Sequence, residues 1–130
     1  MRALLDTNAY SALMRGHREV AGRVRQCERI YLSAIVVGEL LYGFRNGSRY
    51  DANRIQLTDF LANPYVEFVP VTMTTCERFA WVASALRRKG KPIPGNDIWI
   101  AAHGLETGAD LITSDSHFEA VDGLTIIRFK

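Results

Sequence analysis

The chain has little cysteine and little proline, and no hydrophobic run long enough to matter to a membrane. Its two cysteines, Cys27 and Cys76, lie about fifty residues apart, each inside a helical pattern. Neither has a Cys or His neighbour at metal-ligand spacing. A disulfide scaffold and a cysteine-type zinc site are thereby excluded, and two reduced, part-buried thiols are expected. The longest apolar stretch, AIVVGELLYGF at 34–44, is too short to span a bilayer and carries Glu39 at its centre. The opening MRALLDTN has one basic residue and then an aspartate, unlike a secretory signal, so a cytoplasmic location and no membrane contact are expected. Repeats, linkers and low-complexity tracts are also missing, so 1–130 reads as a single domain. Neither sign of charge dominates, with 16 basic and 14 acidic residues, so net charge alone names no partner.

What is present is an alternation of strand-like and helix-like segments. RALLD at 2–6 is a short apolar run ending in Asp6, as expected of a buried strand. TNAYSALMRG reads as a helix closed by Gly16, and EVAGRVRQC continues as helix, with RIYLS at 29–33 as a second strand. Ser33 is placed to cap the apolar helix that carries Glu39. An amphipathic helix over 48–62 is expected to be capped by Ser48. VEFVPV at 66–71 alternates as a strand. TTCE at 74–77 has capping-box spacing and opens a helix with Cys76, Phe79, Ala80, Ala83 and Leu86 on one face. PIPGND at 92–97 is a turn in which Asn96 is the expected cap, with Asp97 in the first turn of the next helix. ADLITSD at 109–115 and LTIIRF at 124–129 complete the strands. This alternation predicts an α/β sandwich around a mainly parallel sheet.

Four acids stand where apolar sequence predicts burial. Asp6 and Asp115 end predicted strands, Asp97 opens an apolar helix, and Glu39 lies within one. In a parallel sheet the carboxyl edge of the strands is where ligands bind. If the four converge there, their mutual repulsion demands a counter-ion. Oxygen-only ligands favour a hard cation, Mg²⁺ or Mn²⁺, one ion or a pair about 4 Å apart, suited to in-line phosphodiester cleavage. Each acid also has a purely structural reading. Asp6 and Asp115 could be helix caps, Asp97 a partner of a helix dipole, and Glu39 one half of a buried ion pair with an arginine.

These segments resemble the PIN-domain nucleases, and most closely the VapC-type ribonuclease toxins, over nearly the whole chain. LLDTNAYSALMRG is similar to the opening strand and first acid of the family, SAIVVGELLYG to its glutamate helix, and GNDIWIAAHGLETGADLITSDSHF to its closing stretch. The resemblance implies a three-layer sandwich with helices flanking the sheet. It implies Asp6, Glu39, Asp97 and Asp115 as catalytic and metal-binding acids, with Thr113 and Asn8 in support. It further implies a magnesium-dependent endoribonuclease that acts on RNA, forms a homodimer and is blocked by a small antitoxin protein.

With those four acids set aside, 10 acids remain against 16 bases. The bases cluster at 23–25, Arg45, Arg49, Arg54 and 87–91, and would attract an RNA backbone. Apolar residues within 40–60, among them Tyr42, Phe44, Tyr50 and Leu57, are candidates for an antitoxin groove, with ordinary core as the competing reading. His17, His103 and His117 read as plain surface or core residues, although His117 is near enough to Asp115 to touch substrate. Trp81 and Trp99 read as core. Two rivals remain at this level: a haloacid-dehalogenase-like phosphatase, whose second aspartate would fall where this chain has Asn8, and a non-catalytic PIN-like module that binds RNA or a partner.

Overall fold

The computed structural model describes residues 1–130. Strand β1 (Arg2–Leu5) is followed by helices α1 (Thr7–Met14) and α2 (Arg18–Arg25), then β2 (Arg29–Ser33). Helices α3 (Ala34–Arg45) and α4 (Tyr50–Ala62) lead to β3 (Val66–Val69), and α5 (Met73–Lys89) and α6 (Gly95–Thr107) lead to β4 (Asp110–Thr113). A short 3-10 helix (Ser116–Ala120) and β5 (Ile126–Arg128) close the chain.

The five strands form one sheet in the order β3-β2-β1-β4-β5. Every pairing is parallel, so the mainly parallel expectation is met in full. Consecutive residues Ala3, Leu4 and Leu5 are all fully buried. Since neighbouring side chains point to opposite faces of a strand, both faces of the sheet must be covered by helices. Burying one such leucine stabilises the fold by about 1.5–3 kcal/mol. Chain order runs outward from β1 through β2 to β3, then returns to β4 on the other side. The switch between β1 and β4 leaves their carboxyl ends side by side and opens a crevice there.

Local chemistry explains the helix boundaries, and in three places it departs from the expected one. Ser33 does cap α3, accepting from Ile35 N at 3.0 Å. Helix α4 starts one residue later than a Ser48 cap would give: Arg49 is its first flanking residue and makes no capping hydrogen bond. Helix α5 is capped by Thr72 with Thr75, not by residues 74 and 77, because β3 ends at Val69 and the turn closes earlier. Its buried positions are therefore Thr75, Val82 and Leu86, while Cys76, Ala80 and Trp81 are exposed. Helix α6 begins after Pro94, so Asn96 lies inside its first turn and is free for another partner.

The α3 helix is not buried all round. Only Val36 and Leu40 are buried, and Gly38, Tyr42 and Gly43 face solvent. Leu57 is completely buried core and cannot line a docking groove, unlike Tyr42, which is 75% exposed. Trp99 is half-buried and stacks on Phe79 with ring centroids 4.1 Å apart. His17 caps α2 rather than lying on a helix face. Gly104 is the point where α6 comes closest to its neighbours, since a Cβ there would lie 2.5 Å from Leu124 Cδ1.

Tyr10 is buried and its hydroxyl has no hydrogen-bond partner. Burial pushes its phenol up to about 12. The ring itself packs edge-on against Phe60, with centroids 5.3 Å apart. Tyr10→Phe keeps that packing and deletes the orphaned hydroxyl, so a gain of about 1 kcal/mol is expected. A urea titration checks this, and an unchanged slope with a lowered midpoint would show that the hydroxyl has a partner after all.

Candidate active site

The crevice between β1 and β4 gathers the acids. Asp6 follows β1 directly and is 5% exposed. It does cap α1, accepting from Ala9 N at 2.8 Å through Oδ1. That role occupies one oxygen only. Thr113, buried at the end of β4, donates to the other, Oδ2, at 2.5 Å. The same Thr113 oxygen accepts from Asp115 N at 2.9 Å, so one hydroxyl holds two acids in register. Asp115 in turn caps the 3-10 helix by accepting from His117 N at 2.8 Å. The capping readings of Asp6 and Asp115 are thus correct, but they leave the clustering unexplained.

The cluster is electrostatically costly. Burial above all raises Asp6 from 3.8 to about 6, and the charges of Asp97 and Asp115 add to the rise. Burial also lifts Asp97 above its ordinary value, followed by the charges of Asp115 and Glu39. No lysine or arginine forms an ion pair with any of the four acids; the Lys and Arg pairs are Lys89–Asp122 and Arg128–Glu119. The arginine partner expected for a structural Glu39 is therefore missing.

Glu39 is half-buried and meets neutral donors instead. Thr7 Oγ1 donates to Oε1 at 2.6 Å, and Asn96 Nδ2 donates to Oε2 at 3.2 Å. The triplet after β1 thus reaches Glu39 through Thr7, while Asn8 is exposed. Sequence reading favoured Asn8 and missed Thr7. It also took Asn96 for a cap.

His117 lies closer to the acids than a plain surface residue would. Its Nδ1 is 3.1 Å from Asp115 Oδ1 and 3.7 Å from Asp97 Oδ2. One ligating atom each from Asp97, Asp115 and His117 fall within 4.8 Å of one another, close enough to share a cation. An oxygen-rich donor set with surplus negative charge and no lysine or arginine partner suits a hard divalent ion. His103 lies outside this cluster. It is buried, with Nδ1 2.7 Å from Ser33 Oγ and Nε2 3.0 Å from Pro70 O. The carbonyl requires a proton on Nε2, so Nδ1 accepts from Ser33, and burial lowers the pKa of the ring.

A parallel α/β sheet with carboxylates gathered at its switch point is the architecture of an α/β domain with an acidic ligand site. A family profile described as PIN domain matches residues 3–124. The chain is 32% identical over 114 residues to Ribonuclease VapC1 of Haemophilus influenzae, covering 85% of this chain and 84% of that relative. Among solved structures it is similar to VapBC-1 from nontypeable Haemophilus influenzae, with TM-score 0.86, 28% identity and 98% of both chains covered. It is also similar to VapBC-5 of Mycobacterium tuberculosis, a member of the VapBC family of toxin–antitoxin systems, with TM-score 0.75, 26% identity and 98% of both chains covered. The chain belongs to the PIN-domain family, on its VapC-type branch.

Proposed function

We propose that this protein is an endoribonuclease, the toxin of a type II toxin–antitoxin pair, and that 1–130 works as one domain. The observation that carries the chemistry is an acid cluster at the switch point that no lysine or arginine pairs, where burial and neighbouring charge raise Asp6 to about 6. Asp6, Glu39, Asp97 and Asp115 would hold a divalent cation, Mg²⁺ or Mn²⁺, with Thr113 fixing two of them. When bound, such an ion supplies activated water and charge neutralisation at the phosphorus. The chain itself supplies the orientation. Thr113 aligns Asp6 with Asp115, and His117 stands at the mouth beside Asp97 and Asp115.

A cavity of about 510 Å³ adjoins the cluster through His117 and is also lined by Lys91, Ile93, Ser116 and Glu119. Arg128 pairs with Glu119 at 3.1 Å, so Lys91 is left as the uncompensated charge facing an RNA backbone. The name of the similar Haemophilus protein, a ribonuclease, supports this reading. The toxin–antitoxin relatives support a protein partner, and an acidic centre without a lysine or arginine of its own is readily filled by a partner's arginine. A cytoplasmic homodimer completes the proposal; no helix is long and apolar enough to cross a membrane.

The phosphatase alternative needs a carboxylate at position 8, where the side chain is an exposed asparagine. Incubation with structured RNA and with p-nitrophenyl phosphate, in Mg²⁺ and in EDTA, tests the proposal. RNA cleavage in Mg²⁺ alone is expected, with 3′-hydroxyl ends, because water and not the ribose 2′-hydroxyl attacks. Ends carrying 2′,3′-cyclic phosphate would refute the water mechanism. Inertness toward RNA would leave the non-catalytic module.

A further inference from the structure

We propose that Thr7 and Asn96 are positioning residues that clamp Glu39 from two sides, and that this clamp sets how tightly the acidic centre holds a divalent cation. The proposal rests on the reading of the four acids as a cation site and goes beyond it in naming what aims the glutamate.

Glu39 needs such a device more than the other acids do. Asp6 is fixed by Thr113 and Ala9, and Asp115 caps a helix turn. Glu39 has a longer side chain and projects from a helix whose neighbouring positions, Gly38 and Tyr42, are exposed. Packing on that side does not hold it. The two hydrogen bonds do, one to each oxygen, at 2.6 Å from Thr7 Oγ1 and 3.2 Å from Asn96 Nδ2. Each carboxylate oxygen keeps a second lone pair for a cation.

The origin of the donors gives the clamp its logic. Thr7 follows Asp6, and Asn96 precedes Asp97. Both sit in the first turns of their helices, α1 and α6. Each dipeptide thus offers one acid to the centre and one neutral donor to Glu39, tying three helices to one carboxylate. Neutral donors orient Glu39 without cancelling its charge, as a lysine or arginine would. Groups that orient metal ligands commonly control affinity by 10–100-fold.

The test uses the full chain carrying Thr7→Val, Asn96→Ala, Thr7→Ser and Glu39→Gln. Mn²⁺ binding is followed by calorimetry, and the Mg²⁺ concentration for half-maximal RNA cleavage is measured beside it. Thr7→Val is expected to weaken Mn²⁺ binding about tenfold and to raise the Mg²⁺ requirement equally, with KM for RNA unchanged at saturating Mg²⁺. Asn96→Ala, at an exposed position that tolerates truncation, should act in the same direction. Thr7→Ser restores the hydroxyl and should bind within about twofold of wild type. In the Glu39→Gln background, Thr7→Val should change Mn²⁺ affinity no further. Wild-type Mn²⁺ affinity in both Thr7→Val and Asn96→Ala would overturn the clamp. If Glu39→Gln itself binds Mn²⁺ as the wild type does, the cation-site reading has failed, and the clamp with it. If Glu39→Gln binds weakly while Thr7→Val and Asn96→Ala both bind normally, the clamp alone has failed.

Discussion

Asp6→Asn is expected to melt above the wild type in EDTA while losing RNA cleavage. Burial first, then Asp97 and Asp115, raises the wild-type carboxyl from 3.8 to about 6. At neutral pH the folded protein therefore holds an ionised group in an unfavourable place, a penalty of about 3 kcal/mol for a shift of this size. Asparagine keeps the shape and can still accept from Ala9 N. It gives up the charge-assisted bond from Thr113, which offsets part of the gain. A net increase of about 1–2 kcal/mol remains, or several degrees in Tm. The pH dependence has a definite sign. A raised carboxyl favours the folded state fully below the unfolded value, and that contribution is lost as pH rises through about 6. Metal-free wild type should therefore lose stability relative to Asp6→Asn between about pH 4 and pH 6. The buried His103, whose lowered pKa works in the opposite direction, is common to both proteins and cancels in the difference. Adding Mg²⁺ should raise the wild-type midpoint and move the variant much less, since an ion bound only by the folded state stabilises it. A variant that is destabilised in EDTA and keeps the full Mg²⁺ response would make Asp6 a cap and nothing more.

Thr113→Val should act on the same centre through a different bond. The substitution is nearly isosteric at a fully buried position, so packing is preserved. It deletes the donor to Asp6 Oδ2 and the acceptor for Asp115 N together. Hydrogen bonds to charged groups contribute about 1.5–3 kcal/mol, and the part-buried N–H of Asp115 left unpaired adds to the loss, so about 2–4 kcal/mol of destabilisation is expected. Cleavage should fall about 10–100-fold, because both acids lose their common reference point. Thr113→Ser retains the hydroxyl and should recover most of the activity. In the Asp6→Asn background the loss of stability should shrink, since the charged acceptor is already gone. Additive effects of the two substitutions would show that Thr113 does not act through Asp6.

The strands, the Ser33 cap and the four acids were legible because local rules govern them. Apolar runs of four or five residues bounded by polar turns can be little else than buried strands, and Ser33 needs only its own helix to act as a cap. The boundaries of α4 and α5 were less legible. Ser48 and Thr74 have the right chemistry for caps, but the turns before those helices place Arg49 and Thr72 at the flanking positions. Trp81 was misjudged for a related reason. Periodicity gives an apolar stripe but not the width of the element packed against it, and α3 and α5 each leave one apolar side open.

By itself the sequence determined the α/β alternation and the placing of Asp6 and Asp115 at strand ends, because local hydrophobic pattern and turn chemistry are read residue by residue. Only the tertiary structure decided that β1 and β4 are neighbours, since strand order is set by how the helices pack on the two faces of the sheet. That adjacency brings residues 6 and 113 within hydrogen-bonding distance and draws Thr7 and Asn96 onto Glu39. Contacts between residues 32, 57 and 107 positions apart carry no local signal, because no periodicity within a segment encodes which distant segment it will meet.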